Sequence, residues 1–245
     1  ATIPILGVIL NLLRIPLDWR IFLIVSLLAP VFILGKKAKQ KQLFKESSFT
    51  LSKTNLFILC ALLIFAFSLY MYTRGSFSYP WLEDGDPWEY ATAAQFIAEE
   101  KTYSKPSELW QKTQEKEEYY YYGLSHYAEP YPIGYSMVMG LLKQTSSSMI
   151  WTLKFFNALI ISLSMLFFFF LVKQLTKNNT IALASAVVLL AIPSYLTHFI
   201  FSQALAVSLI PVALYVYERM KTDAKWWIPA AIVTSTILIT QMVAG

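Results

Sequence analysis

Six apolar runs, each near the length that crosses a bilayer, limit what this chain can fold into. They cover residues 19–35, 54–73, 149–172, 180–197, 199–217 and 226–244. A transmembrane helix needs roughly 20 consecutive apolar residues, because in hydrocarbon every backbone N–H and C=O must be satisfied within the segment itself. A transmembrane barrel would instead show alternating segments of about ten residues, whereas these runs are continuous. Composition agrees: 56% of the 245 residues are hydrophobic and 14% are charged, against about 25% charged in an ordinary soluble domain. Mean hydropathy is +0.50. The expected fold class is an all-α polytopic membrane protein with about six transmembrane helices, multi-pass in the cell membrane.

The net charge of +5 is explained by topology rather than by nucleic acid, since the basic residues sit between the runs. Lys36, Lys37, Lys39, Lys41, Lys45 and Lys53 lie in one loop, Lys173 and Lys177 in a second, and Arg219, Lys221 and Lys225 in a third. If each run spans once, all three loops share a side, which the positive-inside rule makes cytoplasmic. The opposite, outer side then carries the long loop 74–148, which holds eleven of the fifteen acidic residues. Long loops cross largely regardless of charge, so acidity there does not oppose this orientation. The single cysteine, Cys60, excludes a disulfide framework or a cysteine metal cluster within the chain. The apolar first residues lack a charged leader and a small-residue cleavage site, so no signal peptide is expected. A start at Ala1 without Met, and a stop at Gly245 inside an apolar run, suggest processing or an incomplete chain.

Two interfacial helices are expected in the long loop. The first, 87–100, places Trp88, Ala91, Ala94, Ile97 and Ala98 on one stripe, which suits a helix on the membrane surface. The second, 133–142, is too short to span and reads as interfacial or re-entrant. Between them lies a polar stretch ending in the aromatic run 119–122, either a sugar-stacking surface or a membrane-interface belt.

Asp84-Gly85-Asp86 stands a few residues beyond the end of the second run. Two carboxylates one residue apart can converge on a hard divalent cation such as Mg or Mn, and that ion can offset the charge of a phosphate leaving group. A structural reading stands beside this: Asp86, Pro87 and Glu89 also spell an N-cap, a first-turn proline and a capping-box glutamate. The two are compatible, because a helix N-terminus is itself an anion-binding end.

The motif, followed by Asp86-Pro87-Trp88 and Tyr90, a surface helix, and Tyr131-Pro132-Ile133-Gly134, resembles the GT-C class of membrane glycosyltransferases. The nearest likeness is the oligosaccharyltransferase catalytic subunit of the archaeal type, and it covers about 54–218. The resemblance implies transfer of a sugar or glycan from a polyprenyl (dolichyl) phosphate or pyrophosphate donor to a protein or other acceptor on the outer face, often with a divalent metal. It matches Asp86 to the essential acidic residue of the first outer loop and Asp84 to its partner. It matches Tyr131 and its neighbours to the start of the second surface helix. On this division residues 1–53 hold an apolar segment, an extra transmembrane helix and a basic cytoplasmic loop, and 54–245 hold a GT-C-like core, incomplete at its C-terminus. The turn at 193–204 lacks the second acidic motif of oligosaccharyltransferases, so the likeness is to the class more than to that branch.

Other residues have two readings each. His198 is a third metal ligand or an interfacial histidine. Lys154 meets a donor phosphate or snorkels to headgroups. Arg74 binds phosphate through its planar fork or marks the membrane edge. Gln203 and Gln241 bridge neighbouring helices. The function expected first is an outer-face glycosyltransferase with Asp86 and Asp84 catalytic, Asp84, Asp86 and His198 at a metal, and Arg74, Lys154 and Tyr131 on the donor. Its partners are a lipid-linked donor, a protein or lipid acceptor, membrane lipids and other membrane subunits, with no nucleic acid. The alternative is a non-catalytic membrane subunit or scaffold whose acidic loop binds a partner protein. A transporter is disfavoured, because charged residues are nearly absent from the run centres.

Overall fold

A computed structural model describes residues 2–39, 53–82, 85–103, 133–192 and 200–241, and among them no strand occurs. The helices are α1 Thr2–Leu12, α2 Trp19–Lys39, α3 Lys53–Ser76, α4 Gly85–Glu100, α5 Gly134–Lys143, α6 Met149–Thr176, α7 Asn179–Leu190, α8 Ser202–Met220 and α9 Trp227–Thr240, the last entered through a 3-10 turn Ala224–Trp226. Three are long and apolar enough to cross a membrane: α2 over Trp19–Lys36, α3 over Asn55–Ser76, and α6. The other three apolar runs form shorter or more charged helices. α7 has 12 residues and stops before Pro193, whose ring and missing N–H oppose helix continuation. The helix through α9 covers Ala224–Thr240, and α8 carries Glu218 and Arg219 near its end.

Large apolar side chains coat the outsides of α2 and α3, among them Leu28, Val31, Phe32, Leu63 and Phe67. Continuous apolar surface of this extent is what a bilayer solvates and water does not. Only 6% of the α2 span and 11% of the α3 span are buried in protein, against 44% of α6, so α6 is the hub. α3 packs antiparallel to it: Tyr72 joins Ala158 and Ile161 in one cluster, and Ala61 joins Phe169 in another. Ser148 caps α6, its hydroxyl accepting from the Trp151 N–H at 3.2 Å. The helix ends on Lys177, left-handed at φ 56°. Asn178 then caps α7 by accepting from the Thr180 and Ile181 N–H groups, which closes an antiparallel hairpin.

α4 and α5 form a second pair, packed against each other and wedged between α1 and the α6/α8/α9 bundle. One core holds Tyr90, Ala94, Tyr135, Leu153, Leu205 and Val233, and a second holds Leu10, Leu17, Phe96, Ile97, Met137 and Leu141. The expected single stripe on α4 is therefore too narrow. Trp88 is exposed, whereas Tyr90, Ala93 and Phe96 are buried with Ala91, Ala94 and Ile97, because protein covers the helix on two sides. α5 is covered more fully still: Gly134 to Leu141 are all buried against protein.

Hydrogen bonds fix which helix ends lie together. The Trp19 N–H donates to the Gln144 side chain at 2.9 Å, and the Gln144 amide donates to the Leu17 carbonyl at 2.7 Å. Lys154, in the second turn of α6, reaches the Ser76 carbonyl at 2.9 Å. The start of α2, the end of α3 and the start of α6 thus share one end of the molecule. α4 runs across that end, its C-terminus held where the Leu17 N–H donates to the Lys101 carbonyl at 2.6 Å.

The same junction carries an ion pair, Lys101 Nζ to Asp18 Oδ2 at 2.6 Å. The Lys101 hydrogen bond, helped by the Arg20 backbone N–H, holds the Asp18 carboxyl below the usual carboxylate range. A depressed acid stabilises the fold above its unfolded pKa, about 4, and loses that contribution as pH falls through the folded value. Asp18→Asn is expected to flatten the acid limb of a melting-temperature profile below about pH 4 relative to wild type. The difference should stay under about 1 kcal/mol, because the pair is partly solvated.

Candidate functional site

The segment that leads to the acidic motif is pinned at several points. α3 ends at Ser76, and the Lys154 ammonium donates to the Ser76 and Tyr79 carbonyls, with the rings of Phe77 and Tyr79 each 5.9 Å away. Orphan carbonyls at a helix C-terminus are the groups a cation satisfies. Leu82 is then buried in the main core, and Pro87 is buried in the first turn of the helix that follows. Chain on both sides of the motif is therefore anchored.

Asp86 lies within the first turn of α4, which begins at Gly85, so it is not the N-cap that its spacing to Glu89 suggested. Its carboxylate is exposed and forms no ion pair or side-chain hydrogen bond among the described residues.

One turn further on, Tyr90 begins a buried polar seam. Its hydroxyl is 3.1 Å from the Ser202 hydroxyl at the start of α8, and Ser202 donates to the Gln241 side chain at 2.5 Å, just past α9. The Tyr90 ring meets Tyr135 edge-on at 5.0 Å, and the Tyr135 hydroxyl accepts from the Asn157 amide at 2.5 Å. Burial pushes the Tyr135 phenol above its ordinary pKa, opposed by the Asn157 hydrogen bond, so it stays neutral. Asn157 Oδ1, Gln203 Oε1 and Thr240 Oγ1 are buried with no partner among the described residues. Within an apolar bundle such groups are costly and mark functional or water-holding positions.

The residues singled out from sequence separate accordingly. Asp84, Tyr131 and His198 lie outside the described residues, as does the aromatic run 119–122. Arg74 is exposed and donates to the Tyr70 hydroxyl one turn back at 2.8 Å, and among the described residues it does not pair with Asp86. Lys154 is folded inward, only 1% exposed, and so does not snorkel: carbonyls at the end of α3 lie within its reach. Gln241 bridges helices as expected, through Ser202. Among the described residues no group of three or more His, Cys, Asp and Glu side chains could hold a metal ion, and Asp86 is the one expected ligand present there. The seam itself was not anticipated. Its signal in the sequence is the set of amide and hydroxyl residues inside apolar runs, Asn157, Ser202, Gln203 and Gln241. Comparison of the chain with protein-family models, with curated proteins and with solved structures finds no match.

Proposed function

We propose that the chain is a GT-C-type glycosyltransferase that takes a sugar or glycan from a polyprenyl phosphate or pyrophosphate donor on the outer face of the cell membrane. What supports this reading is the position of Asp86: an exposed carboxylate at the head of α4, at the end of the molecule where α2 starts, α3 stops and α6 starts. A lipid-linked donor has an insoluble tail and a charged head, so its chemistry has to occur at that depth. In the proposed step an acceptor nucleophile attacks the anomeric carbon. The bond from that carbon to the lipid phosphate breaks, and the phosphate leaves with the electron pair. Asp86, assisted by Asp84, takes the acceptor's proton. Alternatively, Asp86 would join Asp84 and His198 in holding a divalent cation, which would offset the charge of the leaving phosphate. Arg74 and Tyr131 would bind the donor, and Lys154 would shape the site through the Ser76–Tyr79 segment. The six-span topology with loop 74–148 outside, and a protein or lipid acceptor, are parts of this proposal.

The test uses sealed vesicles of one orientation. With Cys60 replaced by Ser, the exposed Ser78→Cys is expected to react with a membrane-impermeant maleimide from the outer side. The same vesicles are expected to move radiolabelled sugar from a polyprenyl phosphate carrier into acceptor. Labelling from the cytoplasmic side alone would sink the reading. Outer labelling without any transfer would favour the scaffold.

A further inference from the structure

A groove of about 480 Å³ opens between α1, α2 and α5, lined by Ile3, Leu6, Phe22, Val25, Leu141 and Leu142. That volume is within the range of ligand sites, roughly 300–1,000 Å³. It also borders the face of α2 that exposes Leu23, Ile24 and Leu27, so the surrounding solvent for the groove is hydrocarbon. Along α2 the lining runs from Trp19 to Ser26, about 10 Å at 1.5 Å per residue. This is less than half the thickness of the roughly 30 Å hydrocarbon core, so the groove lies within one leaflet.

The end of the groove at Trp19 has a polar rim, and two basic residues, Arg20 and Lys143, stand next in the chain to its lining. Trp19 and Thr145 line that end, and the Arg20 guanidinium lies 5.8 Å from the centre of the Trp19 ring. Lys143, beside Leu142, donates to the Ser146 carbonyl at 3.0 Å. The adjacent carboxylate, Asp18, pairs with Lys101 at 2.6 Å and also attracts Arg20 without pairing with it. Neither Arg20 nor Lys143 has an ion pair among the described residues.

We infer that this groove holds one acyl chain of an anionic glycerophospholipid, with its phosphate at Arg20 and Lys143 under the Trp19 rim. A polyprenyl donor is a poorer occupant. Its phosphate would have to reach Asp86, and α4 separates Asp86 from Glu100 by about 21 Å along its axis. The groove's use by a phospholipid requires only that α2 crosses a membrane; the argument against a polyprenyl occupant alone rests on the glycosyltransferase reading.

Native mass spectrometry of the full chain in mild detergent tests it, with phosphatidylglycerol, phosphatidylcholine of identical chains, and a polyprenyl phosphate offered in turn. The expected result is about thirtyfold greater retention of phosphatidylglycerol than of phosphatidylcholine, the contribution of two basic residues to an anionic lipid head. Arg20→Gln, on the surface, is expected to cut that preference to about fivefold, the share left to Lys143, without changing the melting temperature. Ser26→Phe, which fills the groove, is expected to lower retention of both phospholipids. Equal retention of the two by wild type overturns the inference, as does an unchanged preference in Arg20→Gln. Polyprenyl phosphate that displaces phosphatidylglycerol, and is itself lost in Ser26→Phe, also overturns it. If Ser26→Phe fails to fold, Arg20→Gln decides.

Discussion

Asp86→Asn is expected to lower sugar transfer by about 100-fold or more, the usual contribution of a positioned general base, while the protein still folds. The substitution keeps the side-chain volume and removes the charge. Asp86 is exposed, so no buried partner is orphaned. The structural loss is confined to the favourable interaction of a carboxylate with the α4 N-terminus, about 0.3–1 kcal/mol. Glu89, exposed three residues on, serves as the control: Glu89→Gln removes an equal charge from the same helix end and should change transfer by no more than about threefold, an effect of ordinary surface electrostatics. Initial transfer rates in vesicles, read beside melting temperatures, distinguish the cases. If Asp86→Asn and Glu89→Gln behaved alike, the carboxylate would be an ordinary charge at a helix end and the catalytic assignment would fail.

The second large effect is expected at Gly140, where α5 crosses α4. A Cβ there would lie 2.8 Å from the Ala94 carbonyl oxygen and 2.8 Å from Ile97 Cβ. Backbone does not yield as a flexible side-chain end does, so the two helices would have to separate. Gly140→Ala is expected to cost about 1–3 kcal/mol, the range for overpacking a tight core, and Gly140→Val more. Intrinsic helix propensity acts the other way by about 1 kcal/mol, which is why a stabilised alanine variant would show the crossing to be looser than described. Gly35, in α2, is the internal comparison. No atom lies within 4 Å of a Cβ built there, so Gly35→Ala should leave the melting temperature unchanged or raise it. Loss at Gly140 should also reach the seam, because Tyr135 on the same short helix holds the Asn157 amide.

These two positions also separate what is local from what is not. The apolar runs at 19–35, 54–73 and 149–172 mark α2, α3 and α6 to within a few residues, because the requirement that fixes span length acts along one segment and needs no partner. Short helices near 87–100 and 133–142 were legible for the same local reasons: a first-turn proline, a helical period and flanking polar chain. The run at 180–197 gave only a 12-residue helix before its proline, since hydropathy averaged over a window does not register where a backbone must break. The candidate site was legible in part. The position of Asp86 beyond a span followed from order along the chain, whereas its place inside the first turn depended on where α4 begins.

What the sequence by itself determined is therefore an all-helical chain with long apolar helices, a strongly basic set of loops and an acidic segment between the second and third of the runs. Each of these depends on neighbouring residues alone. Only tertiary structure decided that α4 is covered on two sides, that α5 is enclosed, and that Lys154 turns inward to the carbonyls closing α3. It alone joined Tyr90, Ser202 and Gln241 into one seam across three helices. The reason is physical: an apolar run is selected by the solvent around it. The partner of a buried polar side chain is chosen by the packing of helices far apart in sequence, and no local pattern records that choice.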